Sequence, residues 1–107
     1  MLKNNINTVG NTPLVKQTYG DREIYIKLEY YNPSGSMKDR AALHIIDSAY
    51  KLGVINNQTT IIESSSGNFG IALAAICKKM GLYFICVIDA NTNSTIEKLL
   101  EIYGAKI

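Results

Sequence analysis

The sequence predicts an α/β protein with a three-layer open parallel sheet and helices on both faces. From residue 37 onward, segments with apolar residues at helical spacing alternate with short apolar runs that are typical of strands. The run at 82–89, LYFICVID, is almost continuously apolar, as expected of a parallel strand covered on both sides. Such alternation indicates right-handed crossover units, and the length predicts a single domain over residues 1–107.

The N-terminal part is predicted to form a hairpin and then a helix. Residues 12–18 and 23–30 have the composition of two short strands. Ser36 is the expected N-cap of the helix, and Asp39 completes a capping box with aspartate in place of the usual glutamate. Gly53 is expected to end this helix.

The C-terminal part is predicted to alternate strands and helices. The expected elements are a strand over 59–63, a helix over 69–80 ended by Gly81, the strand over 82–89, a helix from Ser94 to about Tyr103 with Glu97 in its capping box, and the start of a strand at 105–107. A three-residue strand leaves the sheet edge open. The sequence therefore predicts the N-terminal portion of a longer fold.

Composition excludes several classes of function. The formal net charge is +2 and no basic cluster occurs, which argues against a nucleic-acid partner. No apolar stretch reaches the roughly 18 residues of a membrane span, and a secretion signal is not apparent, so we expect a cytoplasmic protein. Cys77 and Cys86 do not have the spacing of a metal knuckle or a redox pair; we expect two buried reduced thiols and no metal.

The segment ESSSGNFG, residues 63–70, joins a predicted strand to a predicted helix. Ligands of open parallel sheets bind beyond the carboxyl ends of the strands. Backbone N–H groups at the helix start, with the hydroxyls of Ser65 and Ser66, would form an anion site, and Gly67 and Gly70 would let the backbone approach closely. The alternative is that Ser66 is only a helix cap and the glycines form a tight turn.

The segment NPSGSMKDR, residues 32–40, places Lys38 at the start of a predicted helix. The macrodipole makes that end of a helix positive, so a basic side chain fits poorly there. Positive charge nearby, including Arg40, favours the neutral form of an amine, which is the nucleophile. A neutral lysine amine forms an imine with an aldehyde, and pyridoxal phosphate is the obvious aldehyde cofactor. The alternative is a solvated surface charge.

The order of GNTPLV, NPSGSMKDR and ESSSGNFGIALA resembles the cysteine synthase/cystathionine β-synthase family of pyridoxal-phosphate enzymes, which have fold type II. The resemblance extends from Gly10 to the end of the chain. It implies that Lys38 binds the cofactor, pyridoxal 5'-phosphate, as an imine and later removes the α-proton of the substrate. It also implies that Asn68 hydrogen-bonds the ring hydroxyl of the cofactor. The substrate carboxylate would be bound by Ser65, Ser66, Gly67, Asn68 and Phe69.

The resemblance implies β-replacement on a serine derivative, an amino-acid substrate, and a homodimer in the full-length family. Phe69 stands where sulfur-using members usually have threonine. This bulky apolar residue argues against a sulfide-accepting activity, and Asn93 and Ser94 stand in place of the usual methionine-serine pair. The stretches LEYYNPSGSMKDR and ESSSGNFGIALA look closer to a branch that joins phosphoserine to glutamate, for 2,3-diaminopropionate and siderophore synthesis.

Two other interpretations stay open. The family's phosphate-binding loop would lie beyond residue 107, so the chain could be a non-catalytic remnant, an α/β domain that binds an anion or a partner. A dehydratase of the same fold is less favoured, because dehydratases resemble the NPSGS lead-in less closely.

Overall fold

The computed structural model describes residues 8–107 and begins with an antiparallel hairpin. Strands β1 (Leu14–Tyr19) and β2 (Arg22–Lys27) pair along their whole lengths, and a 3-10 turn over Glu29–Tyr31 follows. All twelve strand residues are exposed. The predicted hairpin is confirmed, and it stands apart from the main core.

The rest of the chain forms a helix, a strand, a helix, a strand and a helix, as predicted. These elements are α1 (Lys38–Lys51), β3 (Thr60–Ser64), α2 (Asn68–Met80), β4 (Tyr83–Val87) and α3 (Ser94–Ile102). Strands β3 and β4 are parallel, and α2 is the crossover between them. Lys106 forms a parallel bridge to Ile85, where the sequence predicts the start of another strand. The α/β class is therefore confirmed.

The core is built around α2. Every residue from 70 to 77 is buried, as its apolar sequence predicts, and α1, β4 and α3 all contact this helix. The largest contributions from neighbouring elements are Ile46, Leu82, Phe84 and Leu100. Burial of each such side chain stabilises the fold by about 1.5–3 kcal/mol. Helix α2 is thus held on several sides, and its first turn starts from a fixed position.

The two faces of the parallel pair differ. Partner residues of parallel strands lie on the same face, and Phe84 and Cys86 of β4 are buried on the face that α2 covers. On the other face Ile62, Tyr83 and Val87 are each more than half exposed. The apolar run at 82–89 therefore supplies one buried face and one exposed face among the described residues.

The start of α1 differs from the predicted capping box. The N-cap residue is Met37, and the Ser36 hydroxyl accepts a hydrogen bond from the Lys38 N–H at 3.2 Å. The Asp39 carboxylate bonds to Ser34 instead of reaching back to the N-cap. The prediction of a Ser36–Asp39 capping box is wrong, because Ser34 offers this carboxylate both an N–H and a hydroxyl.

The other helix ends agree more closely with the sequence. The N-cap of helix α3 lies one residue earlier than predicted: it is Asn93 and not Ser94, and the Asn93 side chain accepts a hydrogen bond from the Thr95 N–H at 2.8 Å. Asparagine and serine cap helices about equally well, which explains the one-residue error. Gly81 ends α2 in the left-handed conformation, as predicted. No helix among residues 8–107 is long and apolar enough to cross a membrane.

Candidate cofactor and substrate site

Helices α1 and α2 start at the same edge of the sheet. Each runs at its C-terminal end into a strand, β3 or β4, and these two strands are parallel. Both helix starts therefore lie toward the carboxyl ends of the strands, which is where open α/β sheets bind ligands. We infer from this topology that Lys38, the first residue of α1, lies at the same edge as the loop 64–69.

Ser65 organises the start of α2. Its hydroxyl oxygen accepts hydrogen bonds from the Gly70 N–H at 2.9 Å and from the Gly67 N–H at 3.4 Å. Ser65 is half-buried, whereas the neighbouring Ser66 is exposed. The N-cap residue is Gly67, which has no side chain to accept a bond, so the Ser65 hydroxyl, and not that of Ser66, satisfies the first-turn N–H of Gly70. The Ser65 O–H hydrogen is still available to a ligand, since a hydroxyl can donate one bond while it accepts two.

Several donors at this helix start are left for a ligand. The N–H groups of Asn68 and Phe69 are in the first turn of α2 and have no intrahelical partner. The Ser66 hydroxyl and the Asn68 amide make no hydrogen bond within the described part of the chain, and both residues are exposed. Together with the helix dipole, these groups can bind a carboxylate or a phosphate.

Phe69 presents its backbone to this edge and its ring to the interior. The ring lines an apolar cavity of about 220 Å³ between α1, β3 and α2, whose other walls include Ile45, Ile61 and Leu73. The bulk of Phe69 therefore fills space between the helices. Its N–H stays among the donors of the loop.

The loop is packed tightly against β4. A Cβ atom on Gly70 would come within 3.0 Å of Cys86 Sγ and 3.2 Å of Ser65 Oγ. The Cys86 thiol donates a hydrogen bond to the Ser65 carbonyl oxygen at 3.3 Å. Burial raises the pKa of Cys86, and burial raises the pKa of Cys77 to about 11. Both cysteines are buried free thiols, as the sequence predicts.

Lys38 is exposed at the first position of α1. Its amine makes no ion pair or hydrogen bond with residues 8–107, whereas both residues that follow it are anchored. The Asp39 side chain is almost completely buried and accepts hydrogen bonds from the Ser34 N–H, at 2.7 Å, and from the Ser34 hydroxyl. The chain therefore enters α1 through a loop fixed by Asp39 and leaves the lysine amine unpaired.

Arg40 anchors the other side of this turn. Its guanidinium binds both carboxylate oxygens of Glu29, at 2.8 and 2.9 Å, and reaches the Thr12 hydroxyl at 3.2 Å. Thr12 and Asn32 also donate to the Glu29 carboxylate. The hydrogen bond from Arg40, followed by those from Thr12 and Asn32, lowers the pKa of Glu29 to about 2, although burial alone would raise it. The hydrogen bond to Glu29 in turn raises the pKa of Arg40.

This network changes the interpretation of Arg40. The sequence suggests an unpaired positive charge that acts on the lysine amine, but the Glu29 carboxylate compensates that charge. The sequence analysis also missed Glu29, Thr12 and Asn32 as part of the site's framework. Thr12 and Asn32 are both polar and buried, and both belong to the motifs quoted above, GNTPLV and NPSGSMKDR. The presence of these polar residues within the two motifs was the sequence feature that could have predicted their part in the framework.

A second cavity lies beside the serine loop. It has a volume of about 320 Å³, and its walls are Ser66, Asp89, Asn91, Thr92, Asn93 and Ile96. Ligand cavities begin at about this size. The Thr92 hydroxyl oxygen is buried and has no hydrogen-bond partner in the described residues. Polar groups after β4 thus extend the candidate site beyond the loop.

Comparison with known proteins identifies the family. A family profile described as pyridoxal-phosphate dependent enzyme matches residues 6–107, so the chain belongs to that family. A hydrogen sulfide-producing enzyme from Fusobacterium nucleatum is 43% identical, with a TM-score of 0.91 over 95% of this chain and 35% of that one. O-ureido-L-serine synthase is 36% identical, with a TM-score of 0.90 over 95% and 33% of the two chains.

An O-acetylserine dependent cystathionine beta-synthase from Helicobacter pylori is similar to the same extent. It is 37% identical, with a TM-score of 0.87 over 95% of this chain and 35% of that one. The chain thus spans about a third of the length of these solved structures. The predicted membership of the cysteine synthase-like, fold type II family is confirmed.

Pyridoxal phosphate is the cofactor of this family. The residues present fit part of that group. Lys38 supplies an exposed amine that has no partner among residues 8–107, and the start of α2 supplies hydrogen-bond donors. Among residues 8–107, no group of three or more histidine, cysteine or acidic side chains could hold a metal ion.

Proposed function

We propose that this chain provides the lysine and the carboxylate-binding loop of a pyridoxal-phosphate dependent β-replacement site for a serine derivative. The proposal is supported by the topology, from which we infer that the Lys38 amine and the N–H donors of α2 lie at one edge of the sheet, and by their lack of partners among residues 8–107. The named relatives support the substrate class, because they include an O-ureido-L-serine synthase and an O-acetylserine dependent enzyme.

The residues have distinct roles in this proposal. When bound, pyridoxal phosphate supplies an electron sink that stabilises negative charge at the α-carbon of the substrate. Lys38 would hold the cofactor through its amine and would accept the proton released from the α-carbon of the substrate. The Ser66 hydroxyl, the Ser65 O–H and the first N–H groups of α2 bind the substrate carboxylate. The Asn68 side chain orients the cofactor ring.

The donor and acceptor substrates are a finer proposal. The similarity of LEYYNPSGSMKDR and ESSSGNFGIALA to the 2,3-diaminopropionate branch supports phosphoserine and glutamate as the reacting partners. The cavity beside Ser66 and Thr92 is next to the carboxylate loop, where a second substrate could enter. A cytoplasmic location, a homodimer and an N-terminal place for this chain in the family fold stay predictions.

The test of this proposal is site-selective reaction with the cofactor. The chain is incubated with pyridoxal phosphate, reduced with borohydride and mapped by peptide mass spectrometry. We expect the label to concentrate on Lys38 among the nine lysines and to disappear from that peptide in Lys38→Arg. Lys51→Arg, a change on the same helix, is the matched control. Uniform labelling of the lysines would contradict the proposal and favour a non-catalytic domain that binds anions.

The carboxylate loop is tested separately. Each hydrogen bond to a charged group contributes about 1.5–3 kcal/mol, so Ser66→Ala should weaken binding of an O-substituted serine about tenfold or more. Protection of Lys38 from labelling by O-acetylserine measures this binding. Ser48→Ala is the control, because Ser48 lies near the C-terminal end of α1, away from both helix starts. Equal protection in both variants would remove the loop from the proposed site.

A further inference from the structure

The first turn of α1 is anchored by the two residues that follow the lysine. Asp39 ties it to the loop that enters the helix, and Arg40 ties it to two segments that precede that loop. We propose that Asp39 and Arg40 are positioning residues that fix the backbone at Lys38 and so determine where its amine meets the cofactor. This inference rests on the role proposed above for Lys38.

Arg40 joins three parts of the chain. Through Glu29 it is bound to the turn after β2, and through Thr12 to the segment before β1. These two parts are themselves linked, because the Gly10 N–H donates to Asn32 Oδ1 at 2.8 Å. Gly10 has φ 88°, and a Cβ atom there would come within 3.0 Å of the Arg40 guanidinium. The guanidinium therefore occupies a closely fitted position despite its partial exposure.

Asp39 makes the complementary attachment. Asp39 is 2% exposed, and both of its carboxylate oxygens are bonded to Ser34. A buried carboxylate is retained only where hydrogen bonds satisfy it, so this contact holds the loop 34–37 firmly. With Arg40 on the other side, the Cα atom of Lys38 is fixed by its two successors in the chain.

Such anchoring matters because of the lysine side chain. A lysine amine is carried on a flexible four-carbon stem, so only the backbone end of the side chain can be held in place. Helix starts have unsatisfied N–H groups and tend to fray. Displacement of a reacting group by about 1 Å can reduce a rate about a hundredfold. A loose first turn would therefore slow the reaction of Lys38 without changing its chemistry.

The experiment measures the rate of pyridoxal-phosphate labelling at Lys38 in Arg40→Lys as a function of pH. Lysine keeps the charge but loses the two-pronged contact with Glu29. We expect the limiting rate at Lys38 to fall by at least about threefold while the other lysines react as before. The pH of half-maximal rate should not change. Glu23→Gln is the control, since it removes an exposed ion pair with Lys16 on the hairpin.

The outcomes separate this inference from the proposed function. If Lys38 in the unaltered chain shows no preferential label, the proposed function fails. If it does, and Arg40→Lys leaves the rate unchanged or changes only the pH of half-maximal rate, positioning by Arg40 is overturned. Thermal unfolding reports whether each variant is folded. If Arg40→Lys does not fold, Thr12→Val removes one bond to the guanidinium, and an unchanged rate at Lys38 in that variant overturns the inference instead.

Discussion

The two helix starts that form the candidate site are stabilised in different ways. At α1 the first turn is stabilised by charged side chains, Asp39 and Arg40, which bond to other segments of the chain. At α2 it is done by a neutral hydroxyl, Ser65, and by close packing of Gly70 against β4. Each start leaves one kind of group unpaired: an amine at α1 and N–H donors at α2.

This difference follows from what each start must present. The positive end of a helix dipole disfavours a lysine, so α1 needs strong attachments to hold its first turn in place. The same dipole favours an anion at α2, where a charged cap would compete with the ligand. A hydroxyl cap satisfies the backbone without adding charge. The helix that we propose binds an anion is therefore held by neutral groups, and the helix that carries the amine is held by hydrogen-bonded and paired charges.

The packing at α2 gives the largest expected effect. Gly70→Val would place new atoms where even a Cβ atom lies 3.0 Å from Cys86 Sγ. We expect destabilisation of about 2–3 kcal/mol, in the upper part of the range for overpacking. Gly67→Val is the matched control, because no atom lies within 4 Å of a Cβ there, and should cost less than about 1 kcal/mol. Equal urea midpoints for the two variants would show that the loop is not tightly packed.

Removal of the Ser65 hydroxyl at α2 is expected to lower stability by a smaller amount. Ser65→Ala removes the acceptor for the Gly70 and Gly67 N–H groups and should cost about 0.5–2 kcal/mol. Ser66→Ala removes an exposed hydroxyl and should change stability by no more than about 0.5 kcal/mol. Chemical denaturation of both variants makes the comparison. A larger loss for Ser66→Ala would exchange the structural and ligand-binding roles assigned to the two serines.

Much of the fold could be predicted from local patterns. The helix over 69–80 and the strand at 82–89 were recognisable because burial leaves a continuous apolar sequence. The glycine stop at 81 was recognisable because that conformation requires a residue without a Cβ. The exposed face of β4 could not be predicted, because an apolar run has the same sequence whether one or both faces of the strand are covered.

The framework of the site was harder to predict. Lys38 and the serine loop lie in short motifs, so their part in the site could be inferred from sequence. The partners of Arg40 lie 11 and 28 residues away, and no local spacing rule connects them. Asp39 was assigned to the wrong partner because a capping box and a bond to Ser34 use the same carboxylate. Long-range polar contacts depend on the assembled fold, which is why the sequence did not reveal them.

The paired charges at α1 make a pH-dependent contribution to folding stability, whereas the Ser65 hydroxyl at α2 makes a contribution that does not depend on pH. The folded-state pKa of Glu29 is about 2, below its ordinary value of 4.5. A lowered carboxylate pKa contributes stability that is fully present above pH 4.5 and is lost as the pH falls toward 2. We therefore expect Glu29→Gln to be less stable than the unaltered chain at pH 6 and to differ from it less at pH 2.

Urea unfolding between pH 2 and pH 6 measures this dependence, with Glu23→Gln as the control for a carboxylate in an exposed hairpin ion pair. Ser65→Ala should lower stability by the same amount at both ends of this range, since a hydroxyl does not titrate there. If the stability difference caused by Glu29→Gln were also independent of pH, the ion pair with Arg40 would not be what holds the start of α1. The contrast between a charged and a neutral helix start would then be lost.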